Sequence, residues 1–301
     1  MNRKNPPVVL TIAGSDCSGG AGIQADLKTM SAFEVYGMSV ITAVTAQNTC
    51  GVTGVQNVTG EMIRLQLEAV MSDIMPDAVK IGMLATAEAV EAVADILEKY
   101  HVEHVILDPV MVSTSGRSLL EPEGKEQMLQ RLFPLAELVT PNIPEAEEIL
   151  KAVDESDKAD DGLMENKQVA SEMTSSVRIT DQSLMEKAAQ AIRQRYGCNV
   201  LLKGGHMTQA ADDLLYQEQA VWFPAERIKC SNTHGTGCTL SSAIASALTR
   251  GYSLKEAVEI AKGYVRSAMS TGLDLGHGNG PLDHNWSISS AVFSQSDQSS
   301  R

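Results

Sequence analysis

Between Ser231 and Ala243 the chain reads Ser-Asn-Thr-His-Gly-Thr-Gly-Cys-Thr-Leu-Ser-Ser-Ala, small residues running straight into an alanine-rich apolar pattern that predicts a helix. The first turn of a helix carries unpaired backbone N–H groups and a partial positive charge. Gly235, Thr236 and Gly237 therefore form a candidate cradle for a phosphate or for negative charge developing in a reaction. Cys238 falls in the same turn, where the dipole is expected to favour its thiolate. The plainer alternative is a glycine-rich loop that only starts a buried helix, with Cys238 packed and inert.

Other chemistry-bearing clusters follow strand-like runs: residues 14–22, 47–49, 108–111, 140–147 and 203–206. The loop from Gly14 to Gly22 has neither the GxxxxGK[ST] of a P-loop nor the GxGxxG spacing of a dinucleotide fold, which disfavours a Rossmann dehydrogenase. Gln47 offers an acceptor and donors side by side. Asp108, Asn142 and Glu145 are hard oxygen donors, and Lys203 ends an apolar strand in Leu-Leu-Lys-Gly-Gly-His, where it could neutralise phosphate charge. Each has a bland counterpart. Lys203 could snorkel at the surface, Glu145 could complement a helix dipole, Met83 could be core filler, and Asp26 could be a solvated residue of an early helical turn. His206 could merely shape its loop.

The elements that must position these residues alternate in type. Strands are predicted near 8–13, 39–46, 78–81, 104–107, 138–140 and 200–203. Helices are predicted near 22–33, 60–72, 86–100, 124–133, 143–151, 182–196, 235–250 and 254–271. The alternation predicts an α/β fold, a mostly parallel sheet with helices on both faces. Sites in such sheets gather at the carboxyl ends of the strands, so the clusters are expected to meet in one cleft. One domain is expected over 1–286, with a flexible insertion at 153–179 and a frayed tail at 287–301.

With these motifs in place, the chain resembles the ribokinase-like family of small-molecule kinases, and within it the branch of hydroxymethylpyrimidine/phosphomethylpyrimidine kinases. The segments that carry the resemblance are residues 13–28, 42–49, 80–84, 108–111, 140–147 and 233–243. It implies a three-layer ribokinase-like sandwich, usually dimeric, that uses ATP with Mg²⁺. The implied acceptor is the primary alcohol of an aminopyrimidine and then its monophosphate, in thiamin biosynthesis. It places Gly14 and Asp26 near the pyrimidine and Gln47 on its hydrogen-bonding edge, with Met83 and Val110 as apolar walls. Asp108 and Glu145 are expected near the metal, through water, with Asn142 and Lys203 at the phosphates. Cys238 stands where many family members carry an aspartate base, so the resemblance assigns it proton removal, beside the amides of Gly235, Thr236 and Gly237. A pyridoxal or pyridoxine kinase on the same scaffold is the alternative, and a non-catalytic vitamin- or nucleotide-binding protein is a third reading.

Composition narrows the partners. The 301 residues are 43% hydrophobic, 21% charged and only 4% aromatic, ordinary for a globular chain whose core rests on aliphatic side chains. The net charge of −14 argues against nucleic acid or an anionic membrane as partner. The five cysteines, Cys17, Cys50, Cys198, Cys230 and Cys238, form no CxxC pair, and free thiols are expected. No secretory signal or spanning run is evident, so a cytoplasmic location is the expectation.

Overall fold

The computed structural model of the chain describes residues 5–112, 119–159, 178–205, 211–228 and 230–286. Strand β1 (Val8–Asp16) shows how the layers arise. Successive side chains of a strand point to opposite faces. Val9 accordingly enters one apolar cluster, while Leu10 and Ile12 enter the other. The same division holds for β4 (Ala78–Ile81) and β5 (His104–Leu107), where Ala78 and Ile106 share the Val9 face and Val79, Ile81, Val105 and Leu107 the opposite one.

The remaining strands are β2 (Tyr36–Asn48), β3 (Gly51–Asn57), β6 (Leu138–Val139), β7 (Asn199–Leu202), β8 (Asp213–Tyr216) and β9 (Ala220–Phe223). They form one sheet in the order β3-β2-β1-β4-β5-β6-β7-β8-β9. The six central strands from β2 to β7 are parallel, and β3, β8 and β9 add antiparallel edges. Helices α1 (Gly22–Ala32), α7 (Thr236–Thr249) and α8 (Leu254–Ser270) cover the Val9 face through Met30, Ile244 and Val258. Helices α2 (Gly60–Met71), α3 (Ala87–Tyr100), α4 (Pro122–Gln127), α5 (Ile143–Ala159) and α6 (Gln182–Tyr196) lie on the other side; Leu67, Val93, Ile149 and Ile192 pack there. The architecture is the expected three-layer ribokinase-like sandwich. Among the described residues no helix is long and apolar enough to cross a membrane.

All six predicted strands are present; β3, β8 and β9 were not foreseen. β3 is a half-exposed glycine-containing edge, and β8 and β9 are four-residue strands of a hairpin. The helix predicted at 124–133 is α4 followed by a wider π-type turn over Met128–Leu132 and a tight 3₁₀ turn at Phe133–Leu135, which contains Pro134. Both ends of the segment 153–179, expected as an insertion, fall among the described residues. α5 runs on to Ala159, and Ile179 is buried, its N–H donating to Glu147 Oε1 at 2.7 Å. Residues 160–177, His206 and the tail at 287–301 lie outside the described residues.

Candidate active site

The strand-end clusters converge. A cavity of about 1370 Å³ opens over the carboxyl ends of the parallel strands, beside the start of α7. Gly14, Gln47, Met83 and Val110 line it together with Asp108, Asn142, Glu145 and Lys203, and with Gly235, Thr236, Gly237 and Cys238. Of the described residues assigned to the site from the sequence, Asp26 alone is elsewhere.

Asp26 is fully buried between α1 and the sheet. Its carboxylate accepts from Lys80 Nζ at 2.8 and 3.0 Å, from Thr11 Oγ1 at 2.6 Å and from Ser242 Oγ at 2.6 Å. Neither expectation for it survives, contact with a substrate or solvation on a helix turn. It lies on the inner side of α1, where it neutralises Lys80, itself without exposed surface. Sequence reading missed Lys80. A lysine inside the apolar run Ala-Val-Lys-Ile was the available signal, since a buried lysine requires a carboxylate partner.

Helix α7 starts at Gly235, whose φ of 83° lies in the left-handed region. A Cβ there would also collide with the Gly20 carbonyl oxygen, so only glycine fits. The turn has no side-chain cap, and the N–H groups of Gly237 and Cys238 have no acceptor among the described residues. Both residues line the cavity, where uncapped amides suit an anion.

The expectation for the Cys238 sulfur needs correction. Burial pushes its thiol up to about 11. The Lys80 charge pulls the other way, but Asp26 and Asp108 oppose it, and the Gly22 amide donates to the sulfur. With burial the largest influence on the sulfur, the resting site holds a thiol rather than a thiolate.

Lys203, just past β7, pairs with Asp108 just past β5 at 2.9 Å. Thr140 Oγ1 donates to the same carboxylate oxygen at 3.0 Å. Burial works against both charges. For Lys203 the Asp108 and Glu145 carboxylates outweigh it and raise the pKa; for Asp108 the Lys203 and Lys80 ammoniums outweigh it and lower the pKa. Asn142 and Glu145 close a reciprocal cap at the start of α5. Asn142 N–H donates to Glu145 Oε2 at 2.8 Å, and Glu145 N–H donates to Asn142 Oδ1 at 2.9 Å. The cap leaves the Asn142 side-chain NH₂ without an acceptor among the described residues, at the cavity wall.

Burial pushes Glu145 up to about 7; Lys203 pulls it down, while Asp108 raises it further. A carboxyl raised in the folded state stabilises the fold below its unfolded value near 4.5, and that contribution is lost as pH rises through about 7. The Glu145→Gln variant is therefore expected to melt higher than the parent at pH 8 and equally at pH 4.5. Thermal melts of both proteins across that range check it; parallel melting curves would refute it.

A network absent from the sequence reading joins the acceptor loop to α7. Asp16, at the end of β1, accepts from the N–H groups of Ser18, Gly20 and Ala21 and from His234 Nε2 at 2.8 Å. Burial alone would raise its pKa; hydrogen bonds from His234 and Ser18 outweigh that and bring it down to about 2. His234 in turn lies against Gln47. The signal in the sequence was the run Asp-Cys-Ser-Gly-Gly, a pattern that lets one carboxylate collect several amides.

A cleft at a parallel sheet's carboxyl edge, with a lysine, two carboxylates and an uncapped helix start facing one another, defines a phosphate-handling α/β enzyme site. Comparison with known proteins gives the class a family. The family model described as Phosphomethylpyrimidine kinase matches residues 16–175 and 161–283. The hydroxymethylpyrimidine/phosphomethylpyrimidine kinase of Rhizobium meliloti is 45% identical over 281 residues, 92% of this chain and 96% of that protein. The crystal structure of phosphomethylpyrimidine kinase from Clostridium difficile 630 is 43% identical, covering 88% of this chain and all of that one, with a TM-score of 0.71. Pyridoxal kinase from Bacillus subtilis, solved as an ADP complex, superposes with a TM-score of 0.79 at 33% identity, covering 93% of this chain and 98% of that one. The chain belongs to the phosphomethylpyrimidine kinase family.

Proposed function

We propose that this enzyme transfers the γ-phosphoryl group of ATP to the hydroxymethyl group of 4-amino-5-hydroxymethyl-2-methylpyrimidine, and then phosphorylates the resulting monophosphate, as a step of thiamin biosynthesis. The observation that carries this reading is the continuity of the cavity. One space joins the Gln47, Met83 and Val110 pocket to the Lys203, Asp108 and Glu145 cluster, and the start of α7 lies on its wall. The names of its relatives support the substrate, and the ADP and AMP-PCP complexes of pyridoxal kinases support the donor.

In this reading Gln47 holds the donor–acceptor edge of the pyrimidine while Met83 and Val110 enclose the ring. Lys203 places positive charge on the transferred group, Asn142 donates to the phosphates, and the Gly237 and Cys238 amides receive charge that develops on the phosphoryl oxygens. Among the described residues no three His, Cys, Asp or Glu side chains are placed to cage a metal. That donor set still fits Mg²⁺, which keeps waters and binds through one or two carboxylates plus substrate phosphates. Asp108 and Glu145 would hold it, through water, and the ion would supply charge neutralisation between the phosphates. The buried, incompletely compensated Glu145 is the observation behind this assignment.

In this reading Cys238, on the cavity wall at the start of α7, takes the proton of the acceptor hydroxyl. With its thiol near 11, only the small fraction that has first lost its own proton to solvent is a thiolate able to take the hydroxyl proton as the new bond forms. Cys238→Ala is expected to lower kcat on the order of 10²-fold with the KM for ATP nearly unchanged. The parent's rate should climb through the alkaline range, and the variant's should not. A kcat within twofold of the parent removes Cys238 from proton transfer.

The reading includes a homodimer, for which the exposed apolar side chains Tyr36, Val44 and Leu65 on β2 and α2 supply surface. The deciding assay is steady-state phosphorylation with ATP and Mg²⁺, comparing hydroxymethylpyrimidine, its monophosphate and pyridoxal. Turnover of both pyrimidines with much lower kcat/KM for pyridoxal is expected. Preference for pyridoxal, with no use of the monophosphate, would transfer the enzyme to vitamin B6 chemistry.

A further inference from the structure

Lys203 is held on both sides of its backbone. Its own N–H donates to the Pro141 carbonyl at 2.9 Å, which fixes the side facing β7. On the other side the N–H of Gly204 donates to Asp213 Oδ1 at 2.8 Å, in a buried bond. That N–H shares a rigid peptide plane with the Lys203 carbonyl. The bond to Asp213 therefore sets the last backbone rotation of Lys203, and with it the direction in which the side chain leaves the chain. Gly204 lies flat against β8, where a Cβ would meet the Asp212 carbonyl oxygen at 1.9 Å, so only glycine brings this N–H to the carboxylate. The other oxygen of Asp213, Oδ2, accepts from Lys262 Nζ of α8. Asp213 is buried, and a buried carboxylate without a matching cation is costly. Lys262 supplies that cation, which leaves Lys203 to Asp108, its partner at 2.9 Å.

We infer that Asp213, braced by Lys262, is a positioning residue for phosphoryl transfer: through the Gly204 amide it aims the Lys203 ammonium into the cavity. Asp213 and Lys262 also line that cavity, but this role runs through the backbone and needs no contact with substrate. Charge fixed in place before the reaction is what such a site contributes, and a misplacement of about 1 Å can cost on the order of 10²-fold in rate. The inference rests on the kinase reading above, in which Lys203 meets the transferred group.

Asp213→Ala removes both contacts. It is expected to lower kcat/KM for hydroxymethylpyrimidine by roughly 10- to 100-fold. The deciding measurement is a double-variant cycle with Lys203→Ala, with melting curves to establish that each protein is folded. If Asp213 acts through Lys203, its substitution should cost less than about threefold once Lys203 is gone. Equal losses in the two backgrounds overturn the proposal. Asp213→Asn guards against an alanine variant that does not fold. Its amide can satisfy Gly204 or Lys262 but not both, so a smaller loss is expected, and the same cycle applies to it. A second readout needs no turnover. In a crystal structure of the folded Asp213 variant, the Lys203 ammonium should lie beyond hydrogen-bond reach of Asp108, more than about 3.5 Å away. An unchanged 2.9 Å contact overturns the proposal. A parent enzyme that phosphorylates neither hydroxymethylpyrimidine nor pyridoxal would instead overturn the kinase reading, and the crystal structure would still decide what places Lys203.

Discussion

Asp26→Ala is expected to cost about 3–5 kcal/mol of stability, because it strands the fully buried Lys80 ammonium. For a chain of this size that corresponds to a drop in melting temperature of roughly 10 °C. Four donor contacts converge on the carboxylate, from Lys80, Thr11 and Ser242, and none has an alternative route to solvent. Asp26→Asn keeps the volume but removes the charge, and should recover only part of the loss. The informative comparison is the double variant Asp26→Leu with Lys80→Met. Replacing both ends of a buried ion pair by apolar groups is far milder than removing one end, so the double should melt well above Asp26→Ala. If the single variant melts within a degree or two of the parent, the pair does not hold α1 and α7 to the sheet as argued. The pair also bears on the site, since the Lys80 charge lowers the Asp108 pKa and opposes the burial of Cys238. Asp26 therefore matters to catalysis from beneath the cavity, without touching what the cavity holds.

Asp26 shows where sequence reading stopped. Strand and helix periods are local properties, and they were enough to place the six parallel strands and most helices. Site residues at strand ends were legible for a related reason: in a parallel sheet, the residue after the strand is delivered to one edge whatever the detailed packing. That is how Asp108, Asn142 and Lys203 came to share a cavity with Gln47. Asp26 lies within a helix, and whether its carboxylate faces substrate or sheet depends on which side of α1 is buried, a long-range fact. The Asp16–His234 contact joins residues 218 positions apart, and nothing local marks it. Ionisation was the least legible property. The start of α7 predicted a thiolate at Cys238, but burial and the nearby carboxylates raise its thiol to about 11, and only their three-dimensional arrangement reveals it. The short β8–β9 hairpin escaped because four-residue strands carry too few positions for a period to register.

The largest loss of activity is expected from Lys203→Ala, a fall in kcat/KM on the order of 10³-fold or more. Phosphoryl transfer gives the protein little covalent work, so most of the rate rests on charge held in place before the reaction. Lys203 is suited to this. Its ammonium sits at a strand end on the cavity wall, 2.9 Å from Asp108, and the neighbouring carboxylates keep it protonated despite burial. An incoming phosphate meets a cation already oriented and already desolvated. The same substitution leaves Asp108 with Lys80 and Thr140 as its remaining compensation, so some stability is lost as well. Melting curves separate that loss from the kinetic one. Lys203→Arg retains the charge but spreads it over a planar group that cannot take the same place beside Asp108, and it should restore only a minor part of the rate. Full activity in the arginine variant would show that charge alone suffices. A kcat/KM within tenfold of the parent in Lys203→Ala would move the phosphate contact elsewhere in the cavity, to the side-chain amide of Asn142 and the first turn of α7.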